Sequence, residues 1–275
     1  MVFGDGHLNV RKRLKSGKYE YESSELRIVH SVKQKEYVIH KAELVRRIFG
    51  GQFTVSEYNH CPPSLQGRSF RTCGFSKSHQ YFKTLKGMLY PCGIKTFTPH
   101  ALEMITPHGI ALWYMDDGSA RVNYNKDGWI SSVATEIATY CSKAEAELIC
   151  DWFWKEYGIE FRIAFDPKCK EGSQYFIRAN TSESKKFAAL VQPYIIPSML
   201  YKLSHVSNLN LHECRAPQFV CLECHGPAYG KRHKGLCSSC YSRRYHQAYK
   251  QRGGDIVRPT GNEKPVEAGD KELQR

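Results

Sequence analysis

A short apolar run that ends at an Asp-Gly pair occurs twice in this chain, and that repetition constrains the fold more than any other feature. The longer copy is Thr106-Pro107-His108-Gly109-Ile110-Ala111-Leu112-Trp113-Tyr114-Met115-Asp116-Asp117-Gly118. Thr106 before Pro107 reads as an N-cap followed by proline at the first helical position. The apolar residues then last about two turns and stop at two carboxylates. A helix C-terminus is already partly negative, so acidic residues there carry a cost in stability. A divalent cation that favours hard oxygen ligands, such as magnesium or calcium, would offset it. A solvated Asp-Asp-Gly turn is the plainer alternative for this stretch taken alone. The second copy, Met1-Val2-Phe3-Gly4-Asp5-Gly6-His7-Leu8, delivers Asp5 after only four residues.

The segments after each copy recur in the same order, as in a tandem duplication. In the first repeat (1–100), His7 to Val10 and Tyr19 to Ser31 read as extended segments around a basic turn, Arg11 to Lys18. Polar and apolar residues roughly alternate from Glu25 to Ser31, as in a half-buried strand. Lys33 to Phe49 carries Tyr37, Val38, Leu44, Val45 and Ile48 at helical spacing and stops at Gly50-Gly51. Phe53 to Tyr58 and Ser69 to Phe75 form a second strand pair, and His79 to Tyr90 a helix. In the second repeat (101–208), Arg121 to Lys126 reads as a basic turn and Trp129 to Thr139 as extended. Ser142 caps a helix with Glu145 at the capping-box spacing, ending near Gly158. Glu160 to Phe165 and Gln174 to Asn180 are strands, and Ser182 to Tyr194 is the closing helix.

Tyr114-Met115-Asp116-Asp117-Gly118 and Gly4-Asp5-Gly6 resemble the paired signature of LAGLIDADG homing endonucleases in their single-chain, two-repeat form. The resemblance implies an α+β fold in which two pseudo-symmetric αββαββα repeats form a DNA-binding saddle. It implies a monomer on double-stranded DNA with a long asymmetric target site. Two motif helices would pack side by side at a pseudo-twofold axis, bringing Asp5 and Asp117 to the scissile phosphates. There they would hold Mg2+ or Mn2+ for phosphodiester hydrolysis, one cut in each half site. Lys95 and Lys202 match the family's basic helper position beneath the active centre. The open sheet face and turns would carry Arg11, Arg13, Lys15, Lys18, Arg27, Lys33, Arg68 and Arg71 in the first repeat. In the second they would carry Arg121, Asn123, Asn125, Lys126, Arg162, Lys168, Lys170 and Arg178. Arginine pairs with guanine and Asn with adenine, while Lys and Arg neutralise phosphates. Family members begin the first motif with a longer helical run. A one-turn stub before Asp5 cannot form a stable helix alone, so this helix is expected to be truncated, through a start upstream of Met1 or through decay of the copy.

Composition points to the same partner. Forty Lys and Arg against 27 Asp and Glu give +13, an excess that suits a polyanion, nucleic acid before membrane. No apolar run is long enough to span a bilayer and no signal peptide is evident, so an intracellular, cytoplasmic location is expected. Seven of the 11 cysteines are scattered without a framework and fit reduced thiols. The other four form Cys221-x-x-Cys224 and Cys237-x-x-Cys240, separated by twelve residues. That spacing suits one structural zinc with four thiolates, with His225, His233 and Cys214 as dispensable alternatives. A basic finger over 215–250 is expected to add DNA contacts through Arg243 and Arg244, and 253–275 is expected to be disordered. Three functions compete: an endonuclease that propagates its own intron or intein, with an intron or free-standing gene expected because no splicing-type Cys or Asn borders the chain; an RNA-splicing maturase on the same scaffold; and a catalytically inactive DNA binder. The presence of both aspartates favours the first.

Overall fold

In the structure, a computed structural model that describes residues 3–15, 19–60, 70–125, 129–169, 174–207, 219–228 and 235–251, the alternation along residues 24–31 becomes the inner and outer faces of a strand. Ser24, Leu26, Ile28 and His30 are buried, and Arg27 and Ser31 are exposed. This strand, β2 (Tyr19–Ser31), lies beside β1 (His7–Lys15) and is followed by β3 (Ser56–His60) and β4 (Phe70–Ser78). The four make an antiparallel sheet in the order β1-β2-β4-β3. The second sheet uses β5 (Gly118–Tyr124), β6 (Ile130–Cys141), β7 (Phe161–Phe165) and β8 (Tyr175–Ala179) in the order β5-β6-β8-β7. Adding four to each strand of the first sheet gives the second. The duplication therefore extends to topology.

Helices cover one face of each sheet. In the first repeat these are α1 (Lys35–Phe49) and α2 (Tyr81–Leu89). The buried stripe of α1 is Tyr37, Val38, Lys41, Ala42 and Val45. Ile48, expected on that stripe, is 69% exposed, because position 41 rather than 44 or 48 completes the inward face. Gly50 ends the helix at φ 62°, a conformation that glycine adopts without steric cost. Leu8, Leu26, Ile28, Val45, Phe75 and Phe82 join in the core between this sheet and its helices.

A short helix, α3 (Pro99–Glu103), leads into α4 (Pro107–Asp117). The Thr106 hydroxyl accepts from the Gly109 N–H at 3.2 Å, the cap expected from the sequence. Every residue from Ile110 to Met115 is buried. A helix that is apolar all round belongs in a core, and α4 occupies that place. In the second repeat α5 (Lys143–Tyr157) starts with the complete Ser142/Glu145 capping box and ends at left-handed Gly158. α6 (Thr181–Val191) follows, then a short 3-10 turn at Gln192–Tyr194, so the closing helix stops three residues sooner than expected. Another 3-10 turn at Pro197–Lys202 and α7 (Ser204–Ser207) complete this part.

Two basic segments expected as turns are strand instead. β1 continues through Lys15, and β5 runs through Arg121 and Asn123 to Tyr124. Long twisted ribbons extend past their buried portion, and alternation of burial cannot mark where they end. Phe3 to Asp5 form a turn rather than a helix.

Backbone contacts divide the chain into two units. The first, Met1–Asn123 with Ile130–Glu213, holds both sheets; the second comprises Tyr124–Trp129 and Cys214–Arg275. In the second, β9 (Phe219–Val220) pairs antiparallel with β10 (Pro227–Ala228), and α8 (Ser238–Gln251) follows. The segment 253–275 lies outside the described residues. Among the described residues no helix is long and apolar enough to cross a membrane.

Candidate active site and nucleic-acid interface

The two Asp-Gly copies meet at the end of α4. The Phe3 ring stacks on Phe97 at 5.2 Å and leans on Trp113 of α4 at 5.7 Å between centroids. Lys95 donates to the carbonyl oxygen of Phe3 and, at 3.3 Å, to that of Gly4. Lys202 donates to the carbonyls of Tyr114 at 3.4 Å and Asp116 at 3.1 Å. Each lysine thus grips the backbone just before its own repeat's aspartate, Asp5 or Asp117. Gly4 and Asp116 are counterparts in the two copies, and they interdigitate. A Cβ on Gly4 would lie 2.1 Å from Asp116 Oδ2, so glycine in one copy is the condition for aspartate in the other.

Crowded carboxylates dominate the electrostatics. Burial, and then the negative charges of Asp5 and Asp116, push Asp117 up to about 7 despite Lys95 and Lys202 nearby. Burial lowers both Lys95 and Lys202, while the same carboxylates oppose that shift. Asp5, by contrast, keeps a side chain that is 46% exposed.

The Asp116 side chain is wholly buried, and both of its oxygens are occupied. Oδ1 takes the Lys41 ammonium at 2.5 Å and the Tyr37 hydroxyl at 2.9 Å. Oδ2 accepts from the Asp5 backbone N–H at 3.2 Å. Burial raises Tyr37, with the Asp116 charge adding to it, and lowers Lys41, whose partner Asp116 opposes the shift. Ligand atoms of Asp5, His30 and Asp116 lie within 4.8 Å of one another. With Lys41 seated on Asp116, that carboxylate is already engaged by protein. His30, Lys41 and Tyr37 were not anticipated from the sequence. The signal was available: a lysine inside a buried helical stripe, and a histidine in register with Leu26 and Ile28.

The basic residues fall into distinct situations. Arg27 and Arg121 are exposed on the open sheet faces. Arg27 borders a shallow groove with Glu25, Ser56, Tyr58 and Ser76, and Arg121 borders its counterpart with Ser119, Glu136 and Arg178. Arg178 pairs with Glu136 across the strands at 2.7 Å, and Arg71 with Glu57 at 2.8 Å. Arg162 is exposed and 3.4 Å from Glu160; Lys33 and Lys168 are exposed. Two asparagines have local roles: Asn123 donates to Ser132 Oγ at 2.9 Å, and Asn125 Oδ1 accepts from the Trp129 N–H at 2.8 Å. Arg11, Arg13 and Lys15 are on β1, with side chains beyond those described, and Lys18, Arg68, Lys126 and Lys170 lie outside the described residues.

In the second unit the sulfurs of Cys221, Cys224, Cys237 and Cys240 lie within 4.8 Å of one another. Cys224 and Cys237 are 4.0 Å apart, close to the ~3.8 Å between sulfurs that each sit about 2.3 Å from one zinc in a tetrahedral site. The Cys237 N–H donates to Cys221 Sγ at 3.2 Å and the Cys240 N–H to Cys237 Sγ at 3.5 Å. Backbone N–H groups of Cys224 and Cys237 bring Cys221 down to about 6. These features fit a thiolate-bound metal. Arg243 and Arg244 are exposed on α8, Arg244 reaching Glu223 at 2.6 Å.

The LAGLIDADG DNA endonuclease family matches residues 1–187, and the chain belongs to that family. It is 27% identical over 217 residues to "Probable intron-encoded endonuclease 1" of Wickerhamomyces canadensis, across 74% of this chain and 80% of that protein. It is 26% identical over 223 residues to "Protein RecA" of Mycolicibacterium flavescens, across 80% of this chain and 48% of that protein. The chain thus spans about half the length of the RecA relatives it matches. The fold is similar to that of the homing endonuclease I-WcaI bound to its DNA recognition sequence, with a TM-score of 0.56, 23% identity and coverage of 74% of this chain and 81% of that one.

Proposed function

We propose that this chain is a site-specific endonuclease of double-stranded DNA in which Asp5 and Asp117 hold divalent cations, Mg2+ or Mn2+, over the scissile phosphates. The observation that carries the reading is the convergence of two duplicated Asp-Gly copies, each backed by a half-buried lysine on its own backbone carbonyls. Cations held there would supply charge neutralisation at phosphorus and activation of the attacking water. Asp5 and Asp117 bind and place them. Lys95 and Lys202 hold the two backbones in position and add positive charge beneath the transition state. No side chain in either copy is a strong nucleophile, so direct attack by water fits better than a covalent route. Arg27 and Arg121 are suited to base or phosphate contacts from the open sheets, and Glu136 would orient the Arg178 guanidinium.

The test is incubation with a randomised-site DNA library and Mg2+, followed by sequencing of the ends. The expected result is paired cuts, one per strand, at one long asymmetric site. Binding without cutting in Mg2+ and in Mn2+ would leave the maturase or the inactive binder instead.

Cys221, Cys224, Cys237 and Cys240 are assigned a structural zinc, since four thiolates leave no open position for water, and α8 is assigned DNA contacts through Arg243 and Arg244. Binding free energy of about 10–16 kcal/mol makes such small modules depend on metal for folding. Cys237→Ser is therefore expected to lower zinc content from one per chain to none and to weaken DNA binding. Metal analysis and gel-shift titration check this; full zinc content in the variant would remove the assignment.

A further inference from the structure

The two catalytic copies differ in what holds them, and the difference lies in His30. Its imidazole is buried at the end of the inner face of β2, with a side chain only 3% exposed. Lys41 Nζ lies 2.9 Å from His30 Nε2. An ammonium can only donate, and this one is fixed by Asp116 at 2.5 Å and by the Tyr37 ring at 4.3 Å from the centroid. His30 Nε2 must then accept, and the ring proton sits on Nδ1. That nitrogen is hydrogen-bonded to Gln34 Oε1 at 3.2 Å, and Asp5 Oδ2 stands beside it at 3.4 Å as a charged contact. A carboxylate is a stronger acceptor than a neutral amide, so a small turn of the half-exposed Asp5 side chain is enough for it to compete for this N–H.

We infer that His30 is a positioning residue for Asp5: the buried chain Asp116–Lys41–His30 presents an Nδ1–H that turns the Asp5 carboxylate toward a divalent cation. The proposal rests on the reading of Asp5 as a cation ligand. Asp116 acts on Asp5 twice, through the Asp5 backbone N–H at 3.2 Å and through Lys41 and His30 on the side chain. The chain of contacts crosses between copies, since Asp116 ends the second motif while α1 and β2 belong to the first repeat. Asp5 sits in a turn with a half-exposed side chain, so orientation has to come from outside its own segment. Position 149 in α5, which stands six residues beyond the start of its helix as Lys41 does in α1, is Ile149 and fully buried. Asp117 has no lysine at that place.

Two measurements on the full chain test this. In the 15N-histidine-labelled protein without added cation, His30 is expected as the Nδ1–H tautomer, and Lys41→Met should shift it toward Nε2–H. An Nε2–H ring in the unaltered protein overturns the inference. The second is Mn2+ binding, read by electron paramagnetic resonance. His30→Ala should weaken it about 10- to 100-fold, the factor carried by one hydrogen bond to a charged group. His30→Asn, whose amide can place an N–H near Nδ1, should stay within a few-fold of the unaltered chain, and His30→Gln should not. Equal Mn2+ affinity in His30→Ala, or loss of affinity in His30→Asn with an unchanged melting temperature, overturns the positioning role. A chain that binds Mn2+ with this pattern yet cuts no DNA would sink the endonuclease reading and leave the His30 assignment standing.

Discussion

Asp117→Asn is expected to cut DNA at least about a thousandfold more slowly than the unaltered chain, roughly the 4 kcal/mol that a cation-held transition state can supply, with target affinity unchanged. The substitution keeps shape and hydrogen-bonding capacity and removes only the charge that binds a cation. A second consequence has the opposite sign. In the cation-free protein Asp117 is an acid whose folded pKa is raised, from 3.8 to about 7. The folded state then holds more protons than the unfolded state between those values, and stability falls as pH rises through that window. The full deficit, on the order of 4 kcal/mol, is present by about pH 8 and small near pH 4. Asp117→Asn should therefore melt higher than the unaltered chain at pH 8 without cation, and the gain should shrink progressively on acidification to a small fraction by about pH 4. Added Mg2+ should narrow the gap at pH 8 by stabilising only the carboxylate form. Cleavage assays with gel shifts, and melting curves at the two pH values, check both halves. Cleavage within tenfold of the unaltered chain would remove Asp117 from the mechanism.

A site that sacrifices stability for function is the kind of place where reading a sequence from local rules falls short. Much of the scaffold needed no structure to find. Thr106-Pro107 announced the start of α4, Ser142 with Glu145 announced α5, and the duplicated order of segments gave two sheets of one topology. These features are local, decided within a few residues by caps and periodicity. Lys95 and Lys202 came from resemblance to the family and not from spacing. The structure places both on the carbonyls that precede the aspartates, an arrangement that no local rule could state because each contact spans about ninety residues. Lys41 and His30 were overlooked for a different reason. A lysine is almost never fully buried unless paired, and its partner Asp116 is 75 residues away. The correct reading of the α1 stripe, 37-38-41-42-45, required accepting a charge where an apolar residue was expected. The ends of β1 and β5 were misplaced because ribbon length beyond the core depends on pairing, not burial.

Lys41→Met is expected to lower the melting temperature by about 10 °C, the largest stability change of any single substitution around the centre. Removing the ammonium leaves the Asp116 carboxylate, whose side chain is 0% exposed, with neutral partners alone: Tyr37, the Asp5 N–H and, at 3.8 Å, His30 Nε2. Breaking a buried ion pair from one side costs about 3–5 kcal/mol, and in a unit of this size each kcal/mol moves the midpoint by about 2–4 °C. Asp116→Asn alone should also destabilise, because the buried Lys41 ammonium would lose its counter-charge and keep only neutral acceptors and the face of the Tyr37 ring. The double variant Lys41→Met/Asp116→Asn should recover to within about 4 °C of the unaltered chain. It contains no unpaired buried charge, its Met fills the lysine stem's volume, and the Asn carbonyl can still accept from Tyr37 at the Oδ1 position, leaving the Asp5 N–H as the one donor without its former acceptor. Replacing both charges at once is inexpensive for folding, so retention of the pair is best explained by the orientation it imposes on Asp5. Melting curves of the four proteins, followed by tryptophan fluorescence with Trp113 in the central helix, form the cycle. Additive losses in the double variant would mean that Lys41 and Asp116 act independently, and would break the chain of contacts from Asp116 to His30.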